Sequence, residues 1–179
     1  MNRFLLPAVV FALLAVVLAI GIKHSPEKGI IVSPLLGKPA PPFSLPTLND
    51  PSRVVTSQQL RGRWYLFNVW GTWCGECRAE HDMLLQVQRS SAVPLIGMDW
   101  KDDDTQAQAW LTQLGNPYEM VIVDHSGRAA IDWGVYAAPE TFLVNPQGVV
   151  VFKQTGGLTP EVWARDILPR LPHTAVTAR

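Results

Sequence analysis

A chain of 179 residues has room for one domain of ordinary size with short tails. Its 15 Lys and Arg balance 15 Asp and Glu, which leaves no basic excess for nucleic acid and no acidic tail for a charge-driven partner. Nearly half of the residues are apolar (47%), and a surface with so little charge suits a tethered protein better than a free one.

Phe4 to Ile22 is almost wholly apolar and carries no charge. As a helix it is about 28 Å long, close to the hydrocarbon thickness of a bilayer. Pro7 falls in its first turn, where proline is tolerated. An uncleaved membrane anchor and a cleaved signal peptide compete for this segment. Ala19-Ile20-Gly21-Ile22-Lys23 is a poor cleavage site, which favours the anchor over 4–22. Arg3 before the segment leaves residues 1–3 in the cytoplasm and the remainder outside. Ser25 to Pro42 contains Pro26, Pro34, Pro39, Pro41 and Pro42 and no periodicity, so it reads as an extended spacer. The expected division is a linker over 23–36, a folded domain over 37–173 and a tail over 174–179.

Within the domain, Val54-Val55 suits a short edge strand and Ser57–Leu60 a single helical turn. Trp64–Trp70 reads as a buried central strand, being short, aromatic and β-branched. A helix follows from Cys74, with apolar positions recurring every three to four residues. Leu95–Asp99 is a second buried strand, and Asp104 or Thr105 caps a helix that ends at Gly115. Met120–Asp124 is a strand and Ala129–Trp133 a short helix. Thr141–Val144 and Val149–Phe152 flank the hairpin turn Asn145–Gly148. Thr159 caps a final helix to about Leu168, with Pro160 in its first position. The order β-α-β-α-β-α-β-β-α predicts an α/β fold: parallel strands early, an antiparallel pair late, and a mixed sheet with helices on both faces.

Cys74 and Cys77 are the only cysteines, in the run Trp70-Gly71-Thr72-Trp73-Cys74-Gly75-Glu76-Cys77-Arg78. A disulfide between residues this close removes little chain entropy, so a stapling role is weak. Two thiols with His81 could begin a metal site, but no second pair completes one, so no metal and no cofactor are expected. Thiol–disulfide exchange fits best. A cysteine at a helix start is exposed and has its thiolate favoured by unpaired N–H groups and the helix dipole. Cys74 is therefore expected to be the nucleophile, and Cys77, one turn on and more buried, the resolving thiol. Glu76 places like charge beside the thiolate, and Glu80 and Glu140 would act the same way if they approach it; Arg78 opposes them. That balance predicts a reductant. Trp73 is expected to wall a groove, while Trp64, Phe67, Trp70 and Phe142 are expected in the core.

Four stretches carry a family resemblance: Trp70–His81, Leu114-Gly115-Asn116-Pro117-Tyr118, Gly134-Val135-Tyr136-Ala137-Ala138-Pro139-Glu140-Thr141-Phe142-Leu143, and Gly157-Leu158-Thr159-Pro160. From about Gly37 to Leu168 the chain resembles the DsbE/CcmG thiol:disulfide interchange proteins of cytochrome c maturation. The resemblance implies a thioredoxin-like fold in the periplasm, held to the inner membrane by the N-terminal anchor. It implies reduction of the disulfide in the Cys-x-x-Cys-His segment of apocytochrome c, directly or through a CcmH-type maturation protein. A DsbD- or CcdA-type membrane reductase would recharge it. In such a fold a cis-proline lies against the disulfide, so Ala138–Pro139 is expected to be cis and, with Trp73, to line the groove where an extended substrate pairs. Cytoplasmic thioredoxins carry a buried aspartate at the place of Asn68. Asparagine cannot take up a proton, and Glu80 is expected to replace it. The spacer Gly75-Glu76 departs from the family, whose members commonly carry proline there. A TlpA-like general reductase with another client, such as a copper-site cysteine pair, and a non-redox module that holds apocytochrome are the competing readings.

Overall fold

The computed structural model describes residues 5–23, 33–90 and 92–172. The chain divides into two units, Met1–Val32 and Ser33–Arg179. In the first, α1 (Leu5–Lys23) exposes Val9, Phe11, Leu14, Val17 and Leu18 on every side and so has no polar face to turn to water. Among the described residues no helix is long and apolar enough to cross a membrane. Most of the expected linker and the expected tail lie outside the described residues.

The second unit starts as an antiparallel pair, β1 (Ser44–Pro46) and β2 (Val54–Thr56), followed by a 3-10 turn at Ser57–Leu60. The main sheet is built from β3 (Tyr65–Trp70), β4 (Leu95–Trp100), β5 (Met120–Asp124), β6 (Glu140–Val144) and β7 (Val150–Thr155), in the order β5-β4-β3-β6-β7. β3, β4 and β5 are parallel, and β6 runs antiparallel to both β3 and β7. The helices between strands are α2 (Gly75–Ser90), α3 (Asp104–Leu114) and α4 (Arg128–Asp132). This is the predicted mixed sheet.

Alternation along the strands divides the core between the two faces. Leu66, Trp70, Leu95 and Leu143 pack with Met83, Leu84 and Val87 of α2 and Leu111 of α3. Tyr65, Phe67, Val69, Ile96 and Phe142 pack with Ala129 and Ala130 of α4, with Trp133, and with Phe43 and Val55. Every residue of β3 is buried, as a central strand requires, and each large apolar side chain so covered contributes ~1.5–3 kcal/mol. Trp64, expected in the core, is half-buried at its margin and precedes the strand. Gly97 leaves room for the core above it: a Cβ there would come within 2.9 Å of the Trp70 indole nitrogen and 3.0 Å of the Tyr118 ring.

Four expectations shift. The proline-rich stretch is not a free spacer to Pro42: Gly37 and Ala40 donate to the carbonyls of Val150 and Gly148, and Val150 donates to Lys38. Prolines are tolerated there because this segment lies along the outer edge of the sheet beside β7. α3 is capped by Asp103, whose side chain accepts from Gln106 N, rather than by Asp104 or Thr105. β7 runs to Thr155, beyond Phe152, because it stays paired with β6 as far as Glu140. The final helix begins as expected, α5 (Pro160–Val162) capped by Thr159, but widens to a π turn at Trp163–Ile167 and closes as a 3-10 turn at Leu168–Arg170. Pro169 lacks the N–H that an α-helix would pair with residue 165, so regular geometry cannot continue past it.

Candidate active site

β3 ends at Trp70, and Gly71–Trp73 turn the chain into α2, so Cys74 stands one residue ahead of the first helical residue. Cys74 and Cys77 are joined as a disulfide, with sulfurs 2.15 Å and Cα atoms 5.3 Å apart. The Cys77 N–H points at Cys74 Sγ from 3.0 Å. A thiolate on Cys74 would keep that donor and feel the positive end of α2. Cys77 is the more covered, at 3% exposed, as expected, but Cys74 is itself only 5% exposed in the disulfide state rather than open. Both sulfurs belong to the core on the α2 face, and Ala138 packs against that cluster.

The loop that carries Cys74 is bolted to the end of β4. Asp102 accepts from Thr72 N and, at 2.7 Å, from Thr72 Oγ1. Trp73 Nε1 donates to the Trp100 carbonyl at 3.1 Å, and the two indoles meet edge to face at 5.5 Å. Trp73 folds back over Gly71, where a Cβ would strike the indole at 2.5 Å. It remains 54% exposed, on the surface rather than in the core.

A buried polar network lies on the same face of the sheet as the disulfide. Asn68 Nδ2 donates to Glu80 Oε1 and Thr141 Oγ1, each at 3.0 Å, while Asn68 Oδ1 accepts from Tyr118 OH at 2.7 Å. Leu158 N donates to Glu80 Oε2 at 2.6 Å. Burial outweighs these two donors and pushes the Glu80 carboxyl up to about 7, with Glu76 adding a smaller push. Burial also drives the Tyr118 phenol well above its ordinary value, helped by Glu80 and Asp99. Glu80, placed by sequence on α2 as a proton-accepting group, thus sits against Asn68.

The Ala138–Pro139 bond is cis, as expected. Pro139 O accepts from Gly156 N at 2.9 Å, tying this loop to the end of β7. Glu140 does not join Glu80, as the sequence reading allowed. It pairs with Val69, which faces the α4 side of the sheet, so its side chain lies on the opposite face from Asn68 and Glu80. There Lys153 Nζ meets Glu140 Oε2 at 2.8 Å, both side chains almost fully buried. Burial raises the Glu140 carboxyl, against the lowering effect of Lys153. Lys153 also donates to Gly134 O at 3.0 Å and lies over the rings of Tyr136 and Phe142. Glu76 Oε1 accepts from Gly157 N at 3.1 Å, which keeps its charge at the head of α2. Arg78 stacks on Trp110, and His81, weighed as a metal ligand, turns Nε2 to Gly115 O at 2.9 Å.

Sequence reasoning missed Thr72, Tyr118 and Lys153, whose partners are far along the chain. It also passed over Asp99 and Asp102. Asp99 had a signal: a lone carboxylate closing the apolar strand Leu95-Ile96-Gly97-Met98.

The Redoxin family model matches residues 35–167. The DsbE thiol:disulfide interchange protein of Allochromatium vinosum is 44% identical over 168 residues, covering 94% of this chain and 92% of that one. The DsbE of Escherichia coli K12 is 38% identical over 169 residues, covering 92% and 91%. Among solved structures, a DsbE-type protein of Chlorobium tepidum superposes with a TM-score of 0.61 at 25% identity, over 72% of this chain and 91% of that one.

Proposed function

Because this chain belongs to the Redoxin family, and within it to the DsbE thiol:disulfide interchange proteins, we propose that it works as a reductase: it passes two electrons to the disulfide of apocytochrome c, or of a CcmH-type maturation partner, before haem is attached. The reduced Cys74 thiolate attacks one client sulfur, forming a mixed disulfide and releasing the second client sulfur as a thiolate that takes a proton. Cys77 then loses its proton to Glu80 and attacks Cys74 Sγ. The Cys74–Cys77 disulfide forms, and the client leaves with both cysteines reduced. The observation that carries this reading is the Cys77 N–H held 3.0 Å from Cys74 Sγ at the start of α2, a donor ready for the attacking thiolate.

Trp73, Ala138 and Pro139 are the wall and floor against which an extended client segment lies, a reading supported by the exposed indole and the packing of Ala138 on the cysteine cluster. Glu140 supports that loop through Lys153. A reducing poise follows from charge: Glu76 at the helix head and Glu80 behind it disfavour the thiolate, so the dithiol form gains less from ionisation. The run Phe4–Ile22 anchors the protein in the inner membrane with its domain in the periplasm, and a DsbD- or CcdA-type membrane reductase restores the dithiol.

A Cys77→Ala variant tests this. Incubated with an oxidised synthetic peptide bearing Cys-x-x-Cys-His, it should accumulate a covalent adduct through Cys74, and a Cys74→Ser variant should form none. An adduct with general disulfide peptides but not with this one would favour a broader reductase. Haem-attachment activity retained by Cys74→Ser would favour a holding role.

A further inference from the structure

Asp99 is fully buried near the end of β4, and neither of its carboxyl oxygens has a hydrogen-bond partner among the described residues. In the sheet it pairs with Trp70 on one side and Val123 on the other, both of which face the α2 side, so it lies on the same face as the disulfide cluster. An unpartnered buried carboxylate costs several kcal/mol, so the position favours a neutral acid that donates its proton. Asp102, three residues on, is the charged neighbour that acts on it most strongly. The same Asp102 receives both the N–H and the hydroxyl of Thr72, two residues before Cys74.

We propose that Asp99 is a positioning residue for exchange: as a neutral acid it donates to Asp102, and Asp102 in turn holds Thr72 and the loop that carries the attacking sulfur. The inference rests on the exchange chemistry above and adds a gate to it. When Asp99 ionises, the donor is lost and two carboxylates repel across a buried contact. Asp102 is drawn off Thr72, and the loop loses its support. Burial pushes the Asp99 carboxyl up to about 8, with Asp102, then Asp104 and Asp103, adding like charge, so the gate falls just above neutral pH. Asp103 caps α3, and Asp104 is paired to His125 at 2.9 Å. Lys101 lies over the Trp100 ring. Tyr118, in the segment before β5, turns its hydroxyl to Asn68 at 2.7 Å, and Glu80 of α2 accepts from the same Asn68. The strand neighbours Trp70 and Val123 carry no charge.

Asp99→Asn separates the acid from its charge, because an amide donates to Asp102 at every pH. The full chain, reduced and freed of reductant, is reacted with a synthetic peptide disulfide between pH 6 and pH 9. The ratio of variant to wild-type rate removes the ionisation of the thiols themselves. That ratio should rise about tenfold between pH 6 and pH 9, because a group titrating near 8 keeps its proton in only about one molecule in ten at pH 9. Adding Asp102→Asn to both proteins should abolish the rise, which a plain charge effect on Cys74 would leave in place. The Thr72 backbone amide of the oxidised wild-type protein, followed by NMR, should titrate near pH 8 and should not do so in Asp99→Asn. A flat ratio, or a rise that survives loss of Asp102, overturns the proposal. So does a Thr72 amide that does not titrate in the wild type, a result that needs no variant to fold. If neither protein reduces the peptide, the exchange reading fails, and the Thr72 titration still decides whether Asp99 holds the loop.

Discussion

Replacing Glu80 by glutamine should remove the pH dependence of stability at this site. In the wild type the carboxyl titrates near 7 instead of 4.5 because it is buried. Across that window the folded state holds a proton that the unfolded chain has released, so stability falls as pH rises from about 4.5 to 7 and is level beyond. The displacement corresponds to at most about 3 kcal/mol. Glutamine does not titrate and so removes this loss. It does disturb the network, since an amide cannot accept from both Leu158 N and Asn68 Nδ2. The low-cost solution keeps Leu158 N on the new amide oxygen and flips Asn68, which then accepts from the new amide nitrogen and from Thr141 and donates to Tyr118. The Tyr118 hydroxyl proton is left without its acceptor, at a cost of about 1 kcal/mol. Urea unfolding of the oxidised full chain should therefore find the variant about 1 kcal/mol less stable at pH 4.5 and about 1–2 kcal/mol more stable at pH 7.5. An offset that is the same at both values would refute the buried-acid reasoning. Glutamine also cannot take the Cys77 proton, so release of the mixed disulfide should slow by about a hundredfold; an unchanged rate would remove Glu80 from the mechanism.

Lys153→Met leaves Glu140 buried without its cation and should destabilise the domain by about 3–5 kcal/mol, with most of the loss recovered by adding Glu140→Gln; thermal unfolding of the four proteins checks this. Gly97→Ala drives a methyl into Trp70 and Tyr118 and should cost about 1–3 kcal/mol in urea unfolding while disturbing the near-ultraviolet signal of those rings.

The strand–helix sequence was legible because its signals are local. Tyr65–Trp70 is too short and too aromatic for a buried helix, and Thr159-Pro160 marks a helix start wherever it lies. The cysteine pair was equally plain, since its chemistry needs only a helix start and a spacing of three. What could not be read was which side of the sheet each acid takes. Glu80 and Glu140 look alike in the sequence, yet one meets Asn68 on the α2 face and the other is closed off by Lys153 of β7 on the opposite face. Strand register decides that, and register depends on pairing between residues more than seventy positions apart. The Asp102–Thr72 clamp was hidden for the same reason, as its two ends meet only because β3 and β4 are neighbours. The π turn before Pro169 shows the converse: a proline directly after the predicted helix end at about Leu168 was a readable mark of where regular geometry stops.

The claim that electrons leave this protein rather than enter it is tested by the equilibrium potential of the Cys74–Cys77 pair, measured on the full chain against graded glutathione or dithiothreitol buffers at pH 7. The charges of Glu76 and Glu80 predict a value well below the about −120 mV of a dedicated disulfide oxidase. A value at or above that level would mean that the pair accepts electrons from its clients, and the reductase account would be wrong.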